Sequence, residues 1–268
     1  MWPPAALLAT LGAVPEVLEV ELTRRGVVSI LGRRIVDVER TDALAVGPGV
    51  DAAVVGATIE KMSRRGKLLV VHTDHADVGL HLGMTGRLLL DDVDPLGRLA
   101  YGSRNEHAKW DRWVVALDDG RRLRLHDPRR LGRVWLDPDP ESLGPDALTL
   151  TRGELAAALA GRTAPVKAVL LDQRRIAGLG NLLVDEFLWR AGLDPRRPGG
   201  AVTADEVAAL QRIIRRRLPV MLRRGGSHTG TLSPAFRAVG GACSRCDAVM
   251  ARTVVGGRTT WWCPGHQR

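Results

Sequence analysis

Residues 167–195 read KAVLLDQRRIAGLGNLLVDEFLWRAGLDP, and this stretch decides the fold. An apolar helix ends near Asp172, Gly178 and Gly180 punctuate a double turn, and Asn181 heads a second helix. Backbone N–H groups exposed at such a helix start can hold a phosphate. Gly178-x-Gly180 alone is a weak nucleotide signal, and a dinucleotide site is excluded because no strand leads into it.

Outward from this stretch the chain changes character. Helical patterning runs from about Arg152 to Arg224, then gives way to a Gly-rich loop and a Cys-rich tail. Upstream, Asp137-Pro138-Asp139-Pro140-Glu141-Ser142 reads as a hinge, because proline blocks both helix and ladder hydrogen bonds. Before the hinge come short β-branched or Leu-rich runs, Leu68–Val71, Arg87–Leu90, Trp113–Leu117 and Arg121–Leu125, which predict a β-rich domain. Glu19–Leu31 carries Val20, Val27 and Leu31 among charges and reads as an amphipathic helix entered near Pro15.

The 268 residues give room for about two domains. A formal charge of +9 makes nucleic acid the leading partner class. Only four of the 39 basic residues are lysine, so an arginine-rich codon bias would produce the same excess and charge alone does not decide. No apolar run is long enough to span a bilayer, and residues 1–14 lack the basic flank of a secretory signal, so a cytoplasmic location is expected.

Cys243-x2-Cys246, sixteen further residues, then Cys263-x2-His266 offer four ligands in two close pairs, as tetrahedral zinc requires. All three cysteines are used, which argues against a disulfide framework. Val249–Val255 and Arg258–Trp262 flank Gly256-Gly257, so the tail is predicted to be a β-hairpin stapled by one structural Zn2+.

The 167–195 stretch resembles the helix-two-turn-helix of the formamidopyrimidine-DNA glycosylase and endonuclease VIII family. The likeness continues in family order. Pro15-Glu16-Val-Leu-Glu19 with Arg24-Arg25-Gly26, Arg64-Arg65-Gly66-Lys67, His81-Leu-Gly83-Met84-Thr85-Gly86, Asp127-Pro128-Arg129-Arg130-Leu131-Gly132, and Arg258 ahead of Cys263 each match a family motif. The resemblance implies an α+β multidomain fold. Residues 1–14 are an extension, 15–136 an N-terminal β-sandwich with a flanking helix, 137–151 a hinge, 152–235 the helix-two-turn-helix domain and 236–268 the zinc-finger hairpin.

It also implies a base-excision enzyme acting, as a monomer, on damaged double-stranded DNA. The faulty nucleotide is everted and the gap filled by Met84, Arg129 and Leu131. Lys67, Lys167, Asn181 and Arg258 grip phosphates, and Trp110 stands at a DNA-facing position. Pro15 attacks the sugar carbon through its secondary amine and forms an imine, which serves both base excision and strand cleavage. Glu16 is the general acid at the sugar, Lys67 and Arg258 are proton donors in elimination, and Glu19 orders the site.

Several residues depart from the family pattern. Pro15 follows fourteen residues, so its nitrogen is locked in a peptide bond and has no free lone pair. A true start at Val14, cleavage of the extension, or a protein without lyase chemistry would each account for this; the unbroken motif order from Pro15 onward favours the first. Leu131 replaces the usual Phe, Trp110 replaces a His, and the Gly225–Cys243 segment is short, which widens the substrate choice to oxidised pyrimidines, ring-opened purines or an adduct. A non-catalytic lesion-binding protein and a zinc-ribbon nucleic-acid-binding regulator are the rival readings. The regulator gives no role to Pro15-Glu16. His72-x-Asp74-His75-x-Asp77 reads as a hairpin turn rather than a second metal site.

Overall fold

The computed structural model describes residues 15–96, 107–232, 237 and 240–268. The extension over residues 1–14 and part of the Gly225–Cys243 segment lie outside them. Two compact units emerge, Glu19–Pro140 and residues 15–18 with Glu141–Arg268. Pro15 and Glu16, predicted to open the first domain, thus pack with the second. The C-terminal hairpin segment, expected as a domain of its own, is part of that second unit.

Helix α1 (Val17–Gly26) starts in the second unit and continues into the first. It stops at Gly26, a poor helix former, and a 3-10 turn at Val28–Ile30 replaces the last turn of the longer helix that the pattern predicts. The first unit then builds two antiparallel four-stranded sheets. One orders β1 (Ile35–Thr41), β6 (Asp111–Leu117), β7 (Arg122–His126) and β5 (Arg87–Leu90). The other orders β2 (Ile59–Arg65), β3 (Leu68–Thr73), β4 (Asp77–His81) and β8 (Arg133–Leu136). Val115, Leu125 and Leu88 of the first sheet share a core with Leu69, Leu80 and Val134 of the second, the arrangement of a sandwich. A short helix, α2 (Val50–Val54), adds Val50 and Val54 to that core.

The β3–β4 connection is the hairpin read from the sequence. His72 and Asp77 pair across the strands, while Thr73 Oγ1 accepts the His75 and Ala76 N–H groups and closes the turn.

In the second unit, α3 (Arg152–Leu159), α4 (Val166–Leu171), α5 (Asn181–Ala191) and α6 (Ala204–Arg223) surround an apolar interior. Capping boxes open α3 and α6: Thr151 with Glu154 and Thr203 with Glu206 each exchange side-chain and backbone bonds, so two otherwise unpaired N–H donors are satisfied at each start. Val207, Leu210, Ile214, Leu218 and Met221 recur at helical spacing and bury one face of α6, while Arg212, Arg215, Arg216 and Arg223 are exposed and Arg217 is half-buried. The tail forms the predicted hairpin, β9 (Ala251–Val255) against β10 (Arg258–Trp262), through Gly256 and Gly257 at φ +58° and +73°. Among the described residues no helix is long and apolar enough to cross a membrane.

Candidate active site and metal centre

Gly180 has no β-carbon, and the space is taken by Glu16. The Glu16 carboxylate, 1 % exposed, accepts the Gly180 N–H at 2.8 Å and the Leu183 N–H at 3.2 Å on Oε2, and the Leu182 N–H at 2.8 Å on Oε1. These are the free donors of the first turn of α5, and a carboxylate is what the positive end of a helix favours. The N–H groups that the sequence offers to a phosphate are therefore held by the protein's own Glu16. Gln173 closes the turn before them: its Oε1 accepts the Gly178 N–H and its Nε2 donates to the carbonyls of Leu171 and Leu179. Val17 N–H donates to Gly178 O at 3.0 Å, so Pro15 and Glu16 are moored to the double turn by both backbone and side chain.

Lys167, read from the resemblance as a phosphate contact, is buried and paired within the protein. Its side chain has no exposure; Nζ pairs with Asp185 Oδ1 at 2.7 Å and donates to Thr260 Oγ1 and to the Thr259 carbonyl. Burial pulls the lysine below its usual value and pushes the Asp185 carboxyl up, and the ion pair opposes both shifts. The Thr259 carbonyl also accepts from Asn181 Nδ2 at 3.0 Å. Lys167 and Asn181 thereby dock the first residues of β10 onto α4 and α5, next to Arg258. Arg258 is half-buried, and desolvation lowers its guanidinium from the ordinary arginine value.

The three predicted gap-filling side chains lie on two loops of the first unit that share one anchor. Asp127, fully buried, accepts Thr85 Oγ1–H at 2.6 Å and the Arg129 N–H on Oδ1, and the N–H groups of Leu131 and Gly132 at 2.6 Å each on Oδ2. Thr85 is the neighbour of Met84, so this one carboxylate ties the Met84 loop to the loop bearing Arg129 and Leu131. Arg129 is exposed, while Met84 and Leu131 are half-buried. The Trp110 carbonyl accepts the Asp127 N–H at 2.8 Å, and its ring lies edge-on to His126 and His107. Lys67 sits with Gly66 in the tight turn joining β2 to β3. Burial, then the charges of Lys67 and Arg133, push His81 down to about 4, and its Nδ1 accepts the Gly83 N–H at 3.0 Å, as a neutral imidazole can. Glu19 is buried, at 4 % exposure.

Cys243, Cys246, Cys263 and His266 bring their ligand atoms within 4.8 Å of one another, a group able to hold one metal ion. Cys246 Sγ lies 3.4 Å from Cys263 Sγ, and His266 Nδ1 lies 3.6 and 3.5 Å from the sulfurs of Cys243 and Cys246. Four donors about 2.0–2.3 Å from a tetrahedral ion are separated by roughly 3.4–3.8 Å, so the donor set fits. His266 Nε2 lies 3.0 Å from the Trp189 carbonyl, to which it donates when Nδ1 is the ligand. Trp189 Nε1 in turn donates to Cys243 Sγ at 3.3 Å. Trp189, Asp185 and Asp127 carry this architecture, although the motifs that contain them gave these three residues no role. Of the three only Asp127 had a visible signal, the Asp-Pro that starts its loop.

The chain is similar to known proteins along nearly its whole length. Residues 14–134 fit the model of the formamidopyrimidine-DNA glycosylase N-terminal domain, and residues 143–233 that of the formamidopyrimidine-DNA glycosylase H2TH domain. A formamidopyrimidine-DNA glycosylase of Paracoccus denitrificans is 38 % identical over 94 % of this chain and 99 % of its own length. Among solved structures, the Lactococcus lactis Fpg in complex with abasic-site DNA superimposes with a TM-score of 0.79 at 27 % identity, covering 94 % of this chain and 99 % of that one. MutM (Fpg) from Thermus thermophilus gives 0.78 at 30 % identity, covering 94 % and 98 %. With both domain models in chain order and the Paracoccus relative aligned along nearly its whole length, this chain belongs to the formamidopyrimidine-DNA glycosylase family.

Proposed function

We propose that this chain excises damaged bases, formamidopyrimidines among them, from duplex DNA, and that its working form begins at Pro15, whose nitrogen is the nucleophile. The observation that carries the reading is the mooring of Glu16: three backbone N–H bonds fix the residue next to Pro15 at the head of α5. The family match begins at residue 14, which supports a working form without the preceding segment.

In that form Pro15 is a secondary amine. An α-amino group titrates near pH ~8, so a useful fraction is neutral under physiological conditions. The nitrogen bonds to the sugar carbon as the base departs, and the resulting imine allows strand cleavage by the same residue. Glu16 acts at the sugar from its fixed position, while Lys67 and Arg258 supply protons during elimination. Met84, Arg129 and Leu131 fill the gap left by the everted nucleotide, with Leu131 wedging where an aromatic ring would stack. Lys67, Asn181 and Arg258 hold phosphates, and Trp110 meets the duplex. The ion held by Cys243, Cys246, Cys263 and His266 is a structural zinc, one per chain; closed by four protein ligands, it supplies folding energy and no chemistry.

The test is base release from duplexes carrying formamidopyrimidine or oxidised pyrimidine, using protein that starts at Pro15. Release from at least one lesion duplex, lost in Glu16→Gln, is expected; no release from any would contradict the reading. In a chain that keeps Val14 the Pro15 nitrogen is an amide, and for that form lesion binding without cleavage is the second reading.

A further inference from the structure

The second unit contains a cavity of about 310 Å³ lined by Arg190, Arg216, Arg217 and Arg245 over an apolar floor of Trp189 and Ile213. Four arginines line it, and the neighbouring carboxylate is already engaged: Glu186 bonds Arg190 and the Leu232 N–H. Two of the arginines are set in place. Arg190 is held by Glu186 and Thr231, and Arg245 donates to the carbonyls of Trp189 and Arg190. Among the described residues, none pairs with Arg216 or Arg217, and the Arg217 Nε–H is buried without an acceptor. Desolvation, then the like charges of Arg190 and Arg224, hold Arg217 below the ordinary arginine value.

Leaving a buried N–H donor unsatisfied is costly, and concentrating like charges over an apolar floor adds to the cost. Both costs vanish when an oxyanion enters. Arginine is suited to this, since its planar fork offers paired N–H groups to phosphate oxygens. The pocket lies on α5, α6 and the Cys243–Cys246 loop, and uses none of the residues assigned to the reaction.

We infer that the Arg190–Arg216–Arg217–Arg245 pocket is a phosphate-binding site separate from the residues of base excision. Its ligand is a phosphate oxyanion, supplied either by duplex backbone away from the lesion or by a free polyphosphate.

The test uses the full, metal-loaded chain at constant ionic strength, with inorganic tripolyphosphate as probe and calorimetry as readout. One saturable site is expected. The double variant R216Q/R217Q should weaken binding by about tenfold or more, because hydrogen bonds to a charged group are worth that much. Without anion, Arg217→Gln should melt no lower than the parent, and tripolyphosphate should raise the parent's Tm and leave that of the double variant unmoved. A second arm measures affinity for undamaged duplexes of increasing length. If parent and double variant diverge as length grows, the phosphate comes from the backbone; if they stay together while tripolyphosphate binding is lost, it is a free anion. Absence of saturable tripolyphosphate binding, or equal binding by parent and double variant, overturns the inference, and neither result bears on base excision.

Discussion

A β-carbon placed on Gly180 would stand 2.4 Å from Cδ and 2.6 Å from Oε1 of Glu16. No real side chain tolerates such an approach, so this glycine exists to let a carboxylate 164 residues away in sequence sit on the start of α5. Gly180→Ala should push Glu16 off its three N–H donors and cost about 1–3 kcal/mol of stability, as overpacking does. Thermal melting checks the stability, and base release should fall with it. A Gly180→Ala protein with parental Tm and parental activity would show that the contact is dispensable.

Glu16→Gln tests the same contact from the other side. The amide has roughly the shape of the carboxylate but turns an NH2 toward N–H donors, and a buried unsatisfied group costs about 1–3 kcal/mol. Melting should drop accordingly, and base release should fall by on the order of a hundredfold or more if Glu16 also acts as acid. A loss of stability with full activity would leave Glu16 a positioning residue only.

Lys167 and Arg258 should behave oppositely in salt titrations. Lys167→Met removes the partner of buried Asp185 and is expected to cost about 3–5 kcal/mol, with little change in the salt dependence of DNA binding. Arg258→Ala should lower the slope of log affinity against log salt by about one. A reduced slope for Lys167→Met would restore its phosphate role.

That contrast shows where sequence patterning stops. Strand runs such as Arg87–Leu90, the Gly256-Gly257 hairpin and the Arg152 and Asn181 helix starts were legible because each is governed by local periodicity or turn chemistry. The four metal ligands were legible for a related reason, since their spacing is itself the signal. The resemblance assigns Lys167 to phosphate, and nothing local in the sequence signals its burial. Only the tertiary fold brings Asp185 and Thr260 to it. The helix start at Asn181 was visible too, but not that Glu16 would occupy its N–H groups, because nothing local links the two.

Removing the metal should loosen the hairpin, and Trp189 gives an internal probe of it. Trp189→Phe deletes the N–H bond to Cys243 Sγ and is expected to weaken metal affinity about 10–100-fold, the usual effect of losing an outer-shell partner. Competition with a chromogenic chelator measures this. Unchanged affinity would mean that the indole only packs.

His81 predicts a pH window. An unfolded histidine takes up its proton near 6.5, whereas in the fold the group stays neutral down to about 4. The stability it supports is complete above 6.5 and is lost as pH falls toward 4. His81→Gln, which cannot titrate, should flatten that part of the melting profile; an unchanged profile would assign the acid sensitivity elsewhere.

The most direct measurement is borohydride trapping on abasic-site duplex with protein beginning at Pro15, followed by peptide mass analysis of the adduct. A covalent DNA adduct on the Pro15 nitrogen, absent when Val14 is retained, is the predicted result. An adduct on another residue, or none from the Pro15-terminal protein, would contradict the proposed chemistry.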